Sequence, residues 1–208
     1  MVHGVFVIEL FKNGADERAP IIVAIHGRGD RPENWIPSWD EFPAPARIVL
    51  PAGHDALGDG RSWFDFNEGM TDEQFGAAVE ASEAKLWPAV RTLAGTRKVL
   101  VTGFSQGGIL SYALASRHPD VVAKSFPVSG SCPGPLIPKS KAHAAPIVAF
   151  HGTEDDVVAI KWDRASVAAF VAEGNEATLR EYPVGHAMSA QERIDLRDEL
   201  MKALPLVS

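Results

Sequence analysis

Short apolar runs recur along this chain, separated by longer stretches in which apolar positions fall three or four apart. Ile21 to Ile25 contains no polar residue and is mostly β-branched, the pattern of a strand buried on both faces. Arg47 to Leu50, Lys98 to Thr102, Ser125 to Val128, Ile147 to Phe150 and Ala177 to Tyr182 repeat the theme. Val5 to Leu10 predicts an early strand, closed by a turn at Lys12-Asn13-Gly14.

Helical signals lie between these runs. Thr71 followed by Gln74 is a capping box, as is Ser189 followed by Glu192. After the first box, Phe75, Val79, Leu86, Val90 and Leu93 share one helical face, with a kink predicted at Pro88. After the second, Leu196, Leu200 and Leu204 form a single stripe. Ile109 to Ser116 and Ala165 to Ala172 are further helical candidates. Such alternation predicts an α/β fold, a mainly parallel central sheet with helices on both faces. No repeat, low-complexity tract or linker interrupts it, so residues 1–208 read as a single domain. Strand order is not encoded in this pattern.

Composition narrows the partners. At 208 residues, 46% hydrophobic and 23% charged, the chain suits a globular domain with one core. Its formal charge of −7 argues against a nucleic acid or an anionic membrane, which favour basic surfaces. No apolar run approaches the ~20 residues that span a bilayer, so no integral membrane association is expected. Cys132 is the sole cysteine, so no intrachain disulfide can form. With no secretory signal pattern at the N-terminus, a cytoplasmic location is expected. The sequence carries no signal for an oligomeric state.

The most informative stretch is KVLVTGFSQGG at 98–108. A buried strand runs into Gly103-Phe104-Ser105-Gln106-Gly107, which fits G-x-S-x-G, and a helix follows. This strand–turn–helix context is what a nucleophile elbow requires. The sharp turn needs neighbours without side chains, which Gly103 and Gly107 supply. It would lift the Ser105 hydroxyl to a helix N-terminus, where free N–H groups favour a developing oxyanion. The bland alternative, a helix-capping serine, does not explain the partners downstream.

A serine hydroxyl needs a base with a pKa near 7, which selects histidine. His3 lies near the N-terminus, His54 and His143 in loop-like segments, and His118 at a helix end. His26 and His151 each precede a glycine at a strand end. His186, between the last strand and the last helix, fits the chain order nucleophile, acid, histidine. The acid that orients it is expected in Glu154-Asp155-Asp156, after a buried strand, and chemistry alone does not separate the three. Acyl transfer also needs two N–H donors on the carbonyl oxygen. One is expected from Gln106, the residue after the nucleophile. The other is expected from the glycine-rich turn His26-Gly27-Arg28-Gly29-Asp30, at Arg28; His26 is expected to order that turn. Trp63 and Phe64 are candidates for lining an acyl pocket, as are Trp35 and Trp39, against the ordinary reading of aromatics as core. No HExxH-type spacing supports a metal, and no cofactor is implied.

Taken together, HGRGD at 26–30, SWFDF at 62–66, GFSQGG at 103–108, HGTEDDVV at 151–158 and GHAMS at 185–189 resemble the carboxylesterase/phospholipase family that includes the acyl-protein thioesterases. The likeness spans about Pro20 to Ser189. It implies an α/β-hydrolase fold and a cofactor-free serine hydrolase acting on esters, lysophospholipids or acyl-thioesters. It implies Ser105 as nucleophile, His186 as base and Asp155 as acid, with oxyanion amides at Arg28 and Gln106. Ala159 stands where the family often has proline. Pro51 to Arg61 also departs from the thioesterase members in a region that usually shapes the acyl pocket. Ser131 to Ala145 is short and rich in proline and lysine, which predicts no large lid and an open, shallow site for small esters or single acyl chains. The rival readings are a lactone hydrolase or lyase on the same scaffold, and a non-catalytic ligand-binding protein.

Overall fold

In the computed structural model, which describes residues 1–67, 69–139 and 143–207, seven strands form one sheet in the order β1-β3-β2-β6-β7-β8-β9. They are β1 (Val7–Lys12), β2 (Ile21–Ile25), β3 (Ala46–Pro51), β6 (Val99–Phe104), β7 (Val122–Val128), β8 (Ile147–Gly152) and β9 (Ala177–Tyr182). Every pairing is parallel except that of β1 with β3, at one edge. The first strand begins two residues later than the apolar run predicts. Val5 is spent on a tight bridge with Val2 across His3-Gly4, and the strand continues to the Asn13-Gly14 turn, where both residues have positive φ.

The all-apolar β2 is divided between two cores. Ile21, Val23 and Ile25 face a cluster built with α1 (Asp72–Ala94), α2 (Gln106–Arg117) and α3 (Ile160–Ala172). Ile22 and Ala24 face a second cluster, built with α4 (Ala190–Ala203) and the 3-10 helix Pro32–Trp39. A buried aliphatic side chain contributes about 1.5–3 kcal/mol, so polar substitution on either face of β2 has no solvent side to escape to. Both predicted capping boxes form, at Thr71/Gln74 and Ser189/Glu192. Helix α1 runs unbroken through Pro88, and α3 begins five residues before the predicted segment. Leu204 is buried with Leu196 and Leu200, although α4 gives way to a 3-10 turn there.

Most of Pro51 to Arg61 belongs to a hairpin the hydrophobic pattern did not predict, β4 (Asp55–Leu57) with β5 (Gly60–Ser62). Between β7 and β8 the described residues form one 3-10 turn, Gly134–Leu136, and no large lid; residues 140–142 of the segment expected to lack a lid lie outside the described residues. Among the described residues no helix is long and apolar enough to cross a membrane.

The Glu192 capping box carries a cost that depends on pH. Its Oε2 accepts from Ser189 N–H at 3.2 Å, but Oε1 is buried without a partner, and the residue has no exposed surface. Burial raises its carboxyl to about 7, against the helix-cap bond and the pull of His151 and Arg193. The folded chain therefore keeps this proton at pH values where the unfolded chain has released it, and stability falls as pH climbs from the ordinary glutamate range to about 7. Glu192→Gln keeps an acceptor for Ser189. It is expected to be more stable than the parent by about 1–3 kcal/mol at pH 8, with the difference closing by pH 4. Urea denaturation at the two pH values checks this.

Candidate active site

The crossing from β6 to α2 places Ser105 at φ 56° and ψ −117°, a left-handed conformation that serine avoids. Such a residue costs about 1–3 kcal/mol and persists only when its surroundings impose it. Ser105 N–H donates to Val128 O at 2.9 Å, and Ser105 O receives Ile109 N–H at 3.0 Å. A Cβ on Gly103 would lie 2.5 Å from the Gly107 carbonyl, and one on Gly107 would lie 2.0 Å from Ile25 O. The two glycines thus allow the turn to close against β2.

His186 comes to this turn from the loop between β9 and α4. Its Nε2 lies 3.0 Å from Ser105 Oγ, and its Nδ1 lies 2.7 Å from Asp155 Oδ2. Phe104 packs beside the ring, centroids 4.8 Å apart. Asp155 is the buried member of its acidic triplet, while Glu154 and Asp156 are exposed. Asp155 Oδ1 accepts the N–H groups of Val157 at 3.0 Å and Val158 at 2.8 Å. The first of that valine pair lies two residues past the acid, so the loop supplies its own carboxylate holder.

The HGRGD turn is braced by residues far away in sequence. His26 Nε2 accepts from Gly53 N–H at 3.0 Å, which leaves Nδ1 to donate to Gly27 O at 2.7 Å. Burial lowers the pKa of His26, in keeping with a neutral ring that orders the loop. Asp30 accepts from Arg31 N–H, Asn34 Nδ2 and Trp35 Nε1. The unpredicted hairpin pins the other side: Gly29 N–H donates to Arg61 O at 2.8 Å and Arg61 N–H to Asp30 O at 2.9 Å. Neither Arg28 N–H nor Gln106 N–H meets a backbone acceptor among the described residues.

Ser105, His186, Arg28 and Gln106 all line one cavity of about 970 Å³. The apolar part of its wall includes Phe64, Phe66, Met70, Phe75, Ile109 and Ile137. The start of α1, the 131–137 segment and the start of α3 also contribute to its wall. Of the four aromatics singled out in the sequence, Phe64 lines it and Trp63 does not. Trp63 is 1% exposed, its indole N–H donates to His26 O, and its ring packs on His26 and His54. Its hydrogen-bonding end is consumed by the loop it supports. Trp35 and Trp39 line a different cavity, between the 3-10 helix and α4. Residues 51–61, expected to shape the acyl pocket, are not part of the wall of the cavity at Ser105 and instead brace the Arg28 loop.

Three features escaped the sequence reading. The Gln106 side chain clamps SWFDF: its Oε1 accepts from Trp63 N–H at 3.0 Å and its Nε2 donates to Phe64 O at 2.7 Å. The joint presence of SWFDF and GFSQGG was the available signal. His151, Asp163 and Tyr112 form a buried chain behind Asp155, with no local sequence signal. His118 stands at the end of α2 as its position implied, as the C-cap residue, and its ring also stacks on Trp87 and meets Glu83 at 2.7 Å, contacts the sequence did not signal. Among the described residues no group of three or more His, Cys, Asp or Glu side chains is placed to hold a metal ion.

A family model described as phospholipase/carboxylesterase matches residues 7–204. The chain is similar to acyl-protein thioesterase 1 homolog 2 of Dictyostelium discoideum, 22% identical over 88% of this chain and 92% of the relative. It is similar to a probable carboxylesterase of Oryza sativa subsp. japonica, 27% identical over 90% of this chain and 74% of the relative. Among solved structures, esterase PE8 superposes with a TM-score of 0.83 at 21% identity, covering 95% of this chain and 98% of that one. Zea mays acyl-protein thioesterase 2 superposes with a TM-score of 0.74 at 23% identity, covering 96% and 99%. At these identities the superpositions speak for the fold, that of the α/β-hydrolase esterases.

Proposed function

Since this chain belongs to the phospholipase/carboxylesterase family and is a carboxylic ester hydrolase, we infer that it works through a serine acyl-enzyme formed on Ser105. The observation that carries this reading is the continuous relay from Ser105 Oγ through His186 to Asp155, at 3.0 Å and 2.7 Å. His186 removes the Ser105 proton as Oγ attacks the acyl carbonyl. The tetrahedral oxyanion is held by the free amides of Arg28 and Gln106, each worth roughly 2.7–4 kcal/mol in the transition state. Asp155 keeps the His186 tautomer with Nε2 facing the serine and stabilises the imidazolium. That imidazolium then protonates the leaving alcohol or thiol as its bond to the acyl carbon breaks. Water, deprotonated by the same histidine, attacks the acyl-serine and releases the acid and the free enzyme.

The apolar wall of the cavity favours the acyl part of an ester, a thioester or a lysophospholipid with one chain. A buried methylene is worth about 0.8 kcal/mol. On p-nitrophenyl esters, kcat/KM is therefore expected to rise about two- to fourfold per added methylene from acetate to octanoate. A fluorophosphonate probe is expected to modify Ser105, as peptide mapping would reveal. No adduct on Ser105 sinks the acyl-enzyme; a panel on which acetate is the best substrate sinks the assignment of the cavity to the acyl chain.

A further inference from the structure

His151, at the end of β8, takes no part in the reaction described above, yet it is wholly buried directly behind the triad. Its Nδ1 lies 2.8 Å from Asp163 Oδ2. Its Nε2 lies 2.7 Å from the Val158 carbonyl oxygen and 3.4 Å from Asp155 Oδ2. Tyr112 donates its hydroxyl to the other oxygen of Asp163. Asp155 Oδ2 is also the oxygen that faces His186 Nδ1, so two imidazoles converge on one carboxylate oxygen.

A neutral imidazole has a single N–H. Both nitrogens of His151 face oxygens that accept: a carbonyl on one side, and on the other a carboxylate already receiving the Tyr112 hydroxyl. The arrangement is satisfied when both ring nitrogens carry hydrogen. Burial opposes that charge and also raises the pKa of Asp163, which the bonds from His151 and Tyr112 resist. For His151 the hydrogen bond and charge of Asp163, the Val158 carbonyl and Asp155 outweigh burial, and its pKa is raised.

We propose that His151 is a positioning residue for the hydrolysis: held by Asp163 and Tyr112, it sets a protonated imidazole against Asp155 and so governs how readily His186 takes up a proton. This rests on the serine-hydrolase reading of the site. A cation on the far side of Asp155 weakens the pull of that carboxylate on the imidazolium of His186, which keeps His186 available as a base at lower pH. Among the described residues, three other charged groups face His151 from neighbouring elements. Asp163 comes from α3, Glu181 lies opposite on β9, and Glu192 approaches from α4.

Asp163→Asn tests the proposal with little change of shape. The amide can accept from Tyr112 and donate to His151 Nδ1, so His151 becomes neutral with every hydrogen bond retained. The acidic limb of kcat/KM on a neutral p-nitrophenyl ester is expected to move to higher pH by about 0.5–1 unit, with KM little changed. Repeating the profile in a Glu192→Gln background removes the other carboxyl that titrates nearby. An unmoved limb with unchanged kcat overturns the proposal. Should the variant fail to fold, 15N imidazole NMR of the unmodified enzyme decides: both His151 nitrogens protonated at pH 8 supports it, and one bare nitrogen overturns it. Full activity of a Ser105→Ala variant would instead remove the underlying hydrolase reading while leaving the His151 spectrum unaffected, so the two failures are distinguishable.

Discussion

Ser105→Ala is expected to lower kcat on p-nitrophenyl esters by at least about 10⁴-fold, close to 5.5 kcal/mol at 1.36 kcal/mol per decade. The loss should appear in kcat and kcat/KM alike, because the variant keeps the apolar cavity, the Arg28 and Gln106 amides and His186. What remains is the modest catalysis that binding and the oxyanion donors provide without a nucleophile. Alanine tolerates φ 56° no better and no worse than serine does, so the unfolding midpoint should be essentially unmoved. Stopped assays with the purified variant, beside a thermal melt, separate lost chemistry from lost structure. A variant within tenfold of the parent would mean that another group attacks the acyl carbon.

Gly107→Ala should be as damaging through a different route. The new methyl would stand 2.0 Å from Ile25 O, 2.6 Å from Ile25 C and 2.9 Å from His26 O. All three are backbone atoms of or beside β2, a strand hydrogen-bonded to β3 on one side and β6 on the other, so it cannot recede alone. A destabilisation of about 3–5 kcal/mol is expected, read as a lower urea midpoint or as failure to recover folded protein. Any molecules that fold must separate α2 from β2, which pulls the Gln106 amide away from the Arg28 loop and lowers kcat further. Gly185→Ala is the matched control. Its nearest neighbour would be Glu154 O at 3.6 Å, an ordinary contact, so its stability should stay within about 0.5 kcal/mol of the parent.

The difference between these two glycines also shows where sequence reading stops. Gly107 was recognisable because the elbow is a local motif: strand, glycine, serine, glycine and helix follow one another within a dozen positions. Gly185 and His186 are local to each other but lie about eighty residues from Ser105, and only chain order linked them to it. Among Glu154, Asp155 and Asp156 the residue types are nearly equivalent. Burial and the paired Val157 and Val158 amides distinguish Asp155 in the structure, and only a family resemblance distinguished it beforehand. Trp63 was misplaced because an aromatic in a motif can serve a pocket or a core, and the residue that claims its N–H, His26, lies 37 positions away. The β4–β5 hairpin was missed because its three-residue strands, DAL and GRS, carry no apolar alternation.

By itself, the sequence determined the α/β alternation, both capping boxes and the strand–turn–helix setting of Ser105, because each is written in residues that touch their near neighbours along the chain. The tertiary structure alone decided the strand order, the cavity beside the serine, the brace that residues 51–61 give the Arg28 loop, and the chain from Tyr112 through Asp163 and His151 to Asp155. Those depend on which strands become adjacent in the sheet, and the hydrophobic pattern that buries a strand on both faces does not specify its neighbours.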